Sequence, residues 1–155
     1  MARAITIAVL AVTWLGCGLD KTAPQGSSSI ETNAAMIDGL LVQVAVHPRV
    51  LERGETLQIR LMVTNPGNTV TRKAFSSGCI YGYSVTDDGG VRLAPAPPVC
   101  TANAPVVTYA PREVVTREFE WVYEDPSIPA GRYEVSAGFG LWGEGGPPPV
   151  TVTLK

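Results

Sequence analysis

Residues 55–64 (ETLQIRLMVT) alternate in polarity along their length: Leu57, Ile59, Leu61 and Val63 fall on one face, Gln58, Arg60 and Thr64 on the other. A period of two marks a β-strand with one side on a core and the other toward water. The pattern returns in residues 132–141, where Tyr133, Val135, Ala137, Phe139 and Leu141 share a face. It returns again near the end, with Val150, Val152 and Leu154. Such strands cannot stand alone, because each carries an apolar face that another layer has to cover.

Between these strands the chain supplies turn chemistry rather than helical periodicity. Residues 40–46 (LLVQVAV) read as a first strand closed by His47-Pro48, and Asn65-Pro66-Gly67-Asn68 turns the chain after the second. Residues 70–75 and 80–86 follow, the latter with Tyr81, Tyr83 and Val85 on one face. Asp87-Asp88-Gly89-Gly90 has the composition of a hairpin turn. A calcium site there is the competing reading, but two carboxylates fall short of the six to eight oxygens, roughly, that Ca²⁺ takes. Residues 93–111 are proline-rich and leave room for one short strand at most, around 106–109. Val115, Phe119, Trp121 and Tyr123 then share a face of a long strand, with Glu118 and Glu120 on the other. That acidic pair could be read as glycosidase carboxylates, but it is also what the polar face of an exposed strand looks like. Seven or eight short strands without helices predict an all-β, immunoglobulin-like antiparallel β-sandwich. Gly131-Arg132-Tyr133 has the form of a tyrosine corner, in which the hydroxyl bonds back to the preceding connection.

The amino-terminal residues carry an address. Arg3 precedes an apolar run over residues 4–15, followed by Gly16 and Cys17, the parts of a secretory signal. Leu15-Gly16-Cys17 resembles the lipobox of bacterial lipoproteins. The resemblance implies a signal over residues 1–16, a diacylglycerol on Cys17, and a protein exported to the bacterial cell envelope and held to a membrane by lipid. A spanning helix and ordinary cleavage after Ala23 are the alternatives; the apolar run is shorter than the ~20 residues a bilayer needs. Residues 17–36 are small, polar and serine-rich and read as a flexible tether, which leaves 37–155 as one folded domain.

A chain of 155 residues with 45% hydrophobic and 17% charged residues is not disordered throughout. The formal net charge of −2, with no basic cluster, excludes nucleic acid as the expected partner. With Cys17 assigned to lipid, Cys79 and Cys100 form an even pair in an oxidising compartment and predict a disulfide. A reactive cysteine is the alternative, without a C-x-x-C spacing and with the only histidine, His47, far off in sequence.

Several segments together resemble the BsuPI domain, the family named for an intracellular proteinase inhibitor of Bacillus. They are residues 59–66 (IRLMVTNP), then Phe75-Ser76-Ser77-Gly78 with Tyr81-Gly82-Tyr83-Ser84-Val85 and Asp87-Asp88-Gly89-Gly90, and finally Phe119, Trp121 and residues 129–135 (PAGRYEV). The resemblance spans roughly residues 40–141 and implies a sandwich whose partner is a protease. The chain departs from the family where residues 93–111 are proline-rich and disulfide-tied, and where Pro111-Arg112-Glu113 stands in place of Pro-Gly-Glu.

No enzyme is expected. The chain lacks a metal-ligand cluster, a G-x-S-x-G elbow and a phosphate-cradling loop, so neither cofactor nor metal is expected. Ser76 and Ser77 near Lys73 could be forced into a Ser/Lys pair, though polar residues at a strand end explain them as well. A monomeric binding module is the expected class, with recognition on end loops. One candidate loop holds Pro95, Pro97, Pro98, Thr101 and Asn103; its prolines and Cys100 limit its freedom. The other holds Trp142 and Glu144, where Trp142 serves either as an exposed anchor or as a cap on the sandwich end. A structural envelope lipoprotein without a discrete ligand is the alternative from a different class.

Overall fold

In the computed structural model, which describes residues 31–94 and 99–155, the chain runs through β1 (Glu31–Ile37), β2 (Leu40–His47), β3 (Val50–Leu51), β4 (Thr56–Thr64), β5 (Thr71–Ala74) and β6 (Tyr81–Thr86). It continues through β7 (Arg92–Ala94), β8 (Val106–Tyr109), β9 (Val114–Val122), β10 (Gly131–Phe139) and β11 (Val150–Leu154). The signal with Cys17, and the loop residues Pro95, Pro97 and Pro98, lie outside the described residues.

One sheet has the order β1-β2-β4-β9 and faces a second of order β3-β11-β10-β6-β7; β5 and β8 form a separate two-stranded ribbon. Every pairing is antiparallel except that of β3 with β11. This is an immunoglobulin-like arrangement: β2, β4 and β9 take the places of strands A, B and E, and β6, β10 and β11 those of C, F and G. Short β3 carries the first strand across to the other sheet.

The alternating residues meet between the sheets. Val42, Val44 and Val46 of β2, Leu57, Ile59, Leu61 and Val63 of β4, Val135 and Ala137 of β10, and Val150, Val152 and Leu154 of β11 are all buried. Each large aliphatic side chain removed from water in this way contributes about 1.5–3 kcal/mol before chain entropy is charged against it. At the end of the sandwich where β10 begins, the Tyr133 hydroxyl donates to the Pro129 carbonyl at 2.7 Å, which completes the tyrosine corner. Tyr123 does the same to the Ile128 carbonyl at 3.2 Å, and the Arg53 guanidinium lies 4.6 Å from its ring centre.

Eight strand segments expected from the sequence are present, and β1, β3 and β7 are additional. Residues 31–36, expected in the tether, belong instead to β1, which pairs with β2 from Glu31↔Val46 to Ile37↔Leu40. The inner face of β1 carries Asn33, Ala35 and Ile37, half-buried; small and polar residues are enough at a sheet edge. Asp38 and Gly39, both at positive φ (50° and 80°), close the hairpin. Likewise β7 (Arg92–Ala94) brings a second strand into the proline-rich stretch, which was expected to hold at most the one around 106–109, because the Asp87–Gly90 turn returns the chain onto β6.

Residue 31 thus enters the sandwich beside Val46 and His47. The turn at Asp38-Gly39, the end of β4 at Thr64 and the start of β9 at Val114 all lie at the opposite end.

Candidate functional site

Two long excursions leave the sandwich at that far end, and Asn65 sets their roots. Its side chain is buried, and its Nδ2 donates to the carbonyls of Thr69, Tyr109 and Ala110 at 2.8, 3.1 and 3.0 Å. Its Oδ1 accepts the Gly67 N–H, and its own N–H bonds to the Glu113 carbonyl. The excursion from β4 to β6 and the segment leading into β9 are therefore joined at one residue.

Above this junction β5 and β8 pair from Thr71↔Tyr109 to Ala74↔Val106. The pairing continues beyond the strands: the Phe75 N–H donates to Pro105 O and the Gly78 N–H to Thr101 O, each at 3.0 Å. Cys79 and Cys100 then close the loop as a disulfide, their Cα atoms 5.3 Å apart. Val99, Thr101 and Asn103 point to solvent, and the Thr101 hydroxyl bonds to the Asn103 side chain. Residues 100–105, held this way, lose little further freedom on meeting a partner.

The chemistry beneath the loop is aromatic and cationic. The Lys73 ammonium pairs with Asp38 and lies 4.7 Å from the Phe139 ring centre. Ser77 Oγ accepts the Cys79 N–H at 3.3 Å. The Tyr81 and Tyr109 hydroxyls share a hydrogen bond of 2.8 Å, and Arg117 stands 5.1 Å from the Tyr81 ring. Burial, and then the bond to Tyr81, push the Tyr109 phenol far above its ordinary pKa.

The second expected loop behaves differently. Gly140 N–H bonds to Ile80 O, and the chain then folds back over the outer face of the second sheet. Ser84 Oγ donates to the Trp142 carbonyl at 3.1 Å, and a Glu144 carboxylate oxygen accepts the Trp142 N–H at 3.2 Å. The Arg92 guanidinium stacks 3.9 Å from the Trp142 ring centre. Close approach of the loop depends on Gly82: a Cβ there would fall 2.0 Å from the Leu141 carbonyl oxygen. Trp142 is thus neither an exposed anchor nor a cap on the sandwich end, but a half-buried clasp on a sheet face. Thr101, Asn103 and the disulfide come together; Trp142 and Glu144 form a separate group.

The remaining candidates resolve into surface structure. Glu118 pairs with Arg60 at 2.9 Å and Glu120 accepts from Gln58 at 3.0 Å, on the outer face of the first sheet. A shallow hollow of about 300 Å³ lies beside them, lined by Ala45, His47, Gln58, Arg60 and Glu118. Asp87 Oδ1 accepts the Val91 N–H at 2.7 Å, which makes it a turn residue. Among the described residues no group of three or more His, Cys, Asp or Glu side chains could hold a metal ion.

No protein-family profile matches the chain, and no curated protein does. Solved structures with a similar arrangement include a β-glucosidase from Erythrobacter marinus, at 14% identity and a TM-score of 0.44 over 81% of this chain and 16% of that one. An alkylpurine DNA glycosylase from Pseudomonas fluorescens is similar at 12% identity and a TM-score of 0.43, over 71% of this chain and 28% of that one. A β-glucosidase from Listeria innocua is similar at 14% identity and a TM-score of 0.40, over 83% of this chain and 16% of that one. The chain therefore spans less than a third of each of these proteins.

Proposed function

We propose that the protein is an exported, lipid-anchored binding domain of the bacterial envelope, and that its disulfide-tied end presents a rigid loop to a protein partner. The observation that carries this reading is the loop itself. Val99 is fully exposed next to Cys100, and the backbone that follows it is fixed by the disulfide and by the Gly78–Thr101 and Phe75–Pro105 hydrogen bonds. The position of residue 31 supports it as well. A tether joined at residue 31, beside His47, would attach at the end opposite the loop and leave the loop end unoccupied by the anchor. The BsuPI-like segments favour a protease as the partner, since a fixed exposed loop is what a substrate-like inhibitor offers.

The test uses the full chain in detergent micelles, titrated against a panel of serine and cysteine proteases. Stoichiometric inhibition, lost when residues 99–104 are replaced by glycine and serine, supports the reading. An intact, uncleaved domain that inhibits none of them removes the protease and favours a structural lipoprotein or a different protein partner.

A further inference from the structure

The first sheet ends in an unpaired strand. β9 is paired with β4 on one side only, and among the described residues no strand follows it. The direction of its backbone groups can be fixed from both of its ends. Asn65 N–H bonds to Glu113 O, and Tyr123 N–H bonds to Glu55 O, so Glu113 and Tyr123 both face the β4 side. Backbone groups alternate in direction along a strand, so Val115, Arg117, Phe119 and Trp121 face β4 as well. Val114, Thr116, Glu118, Glu120 and Val122 therefore turn their N–H and C=O groups to the open edge. Two of those carbonyls take side-chain donors where a strand would otherwise donate. Tyr83 Oη donates to Glu120 O at 3.0 Å, and Arg117 Nη1 donates to Thr116 O at 2.9 Å.

Apart from the charges of Arg117, Glu118 and Glu120 and these two capped carbonyls, the edge lacks the usual protections of an open strand. β9 has nine residues, with no proline, no lysine and no bulge against β4. Along it runs a row of half-buried apolar side chains, Val115, Phe119 and Trp121, with the Tyr83 ring 5.1 Å from that of Phe119. On the solvent side Glu118 and Glu120 are exposed; Glu118 pairs with Arg60, while the Glu120 carboxylate accepts from neutral Gln58.

We infer that the open edge of β9 is a docking site for an extended segment of a partner protein in which apolar and basic residues alternate. Such a strand would take up the free backbone groups of β9 and add a fifth strand to the sheet. Its apolar side chains would cover Phe119 and Trp121, and its basic ones would stand opposite Glu118 and Glu120. A second copy of this chain is disfavoured in the registers centred on Glu118 or on Phe119, where antiparallel self-pairing sets carboxylates of the two copies opposite each other. A register centred on Arg117 avoids that clash but leaves Glu118 and Glu120 opposite Thr116 and Val114, without a cation.

The experiment uses the full chain in detergent with two synthetic peptides, Lys-Val-Lys-Val-Lys-Val-Lys and Glu-Val-Glu-Val-Glu-Val-Glu, and follows amide hydrogen exchange residue by residue. The basic peptide is expected to slow exchange at Thr116, Glu118 and Glu120 by about tenfold or more, and to change Phe119 and Trp121 little, since those amides already bond to β4. The acidic peptide is expected to leave all of them unchanged. The double variant Glu118→Lys, Glu120→Lys should reverse the ranking of the two peptides. Glu118→Pro should abolish protection while keeping the β4 ladder, because its N–H points outward. Equal protection by both peptides, no protection by either, or an unreversed ranking in the double variant overturns the proposal. Protection of the same amides in a peptide-free dimer overturns it too, in favour of a second copy.

Discussion

The hydroxyl of Tyr133 reaches back to the carbonyl of Pro129, four residues earlier, at 2.7 Å. It ties the start of β10 to the connection that delivers it, so Tyr133→Phe should lower stability by about 1 kcal/mol. A urea titration checks this: the midpoint should fall with the slope unchanged. An unchanged midpoint would mean that the corner is held by packing alone.

The same phenol makes stability depend on alkaline pH. Burial raises the pKa of Tyr133, and burial likewise raises Tyr109 and Tyr83. The folded state thus holds these protons after the unfolded chain, with pKa about 10, has released them. The stabilisation is complete below pH ~10 and is lost progressively as pH rises toward the folded-state values. Urea midpoints should therefore fall above that pH, and Tyr109→Phe should flatten the fall. Phenolate absorbance that titrates in one step at the ordinary tyrosine value in the folded protein would contradict this.

Removing the disulfide with Cys79→Ser and Cys100→Ser should cost about 3 kcal/mol, from the freedom returned to the unfolded chain. The cysteines are 21 residues apart, and the segment they enclose contains β6 and β7. The Gly78 amide, bonded to Thr101 O, should exchange faster in the variant, whereas amides of β4 should keep their order of protection.

Gly82→Ala tests the folded-back loop. The added methyl meets the Leu141 carbonyl, backbone that has to move. The expected loss is about 1–3 kcal/mol, with a red shift of tryptophan emission as Trp142 leaves Ser84 and Arg92. An unshifted spectrum would show that the clasp tolerates the displacement.

How much of this could be read beforehand follows the physics of each element. β4 and β10 were legible because a buried face forces Leu57, Ile59, Leu61, Val63 and Tyr133, Val135, Ala137 into alternation. β1 was not, because an edge strand needs only small inner residues such as Ala35, although Asp38-Gly39 is a hairpin signal in plain view. The Cys79–Cys100 pairing followed from counting cysteines. The direction of Trp142 could not follow from its neighbours in sequence, since it depends on Gly82, Ser84 and Arg92 from two other strands. The open edge of β9 is a property of strand order, and strand order is invisible in any single segment.

Asn65 also has a chemical consequence. Its amide nitrogen faces three carbonyl oxygens, so conversion to aspartate would set a carboxylate among acceptors with no proton to share. Spontaneous deamidation of asparagine begins with attack by the next residue's backbone nitrogen, and here that nitrogen belongs to Pro66, which carries no hydrogen. The residue least able to tolerate ageing is thus followed by the one that slows it, and the joined loops are protected against a slow covalent failure as well as against unfolding.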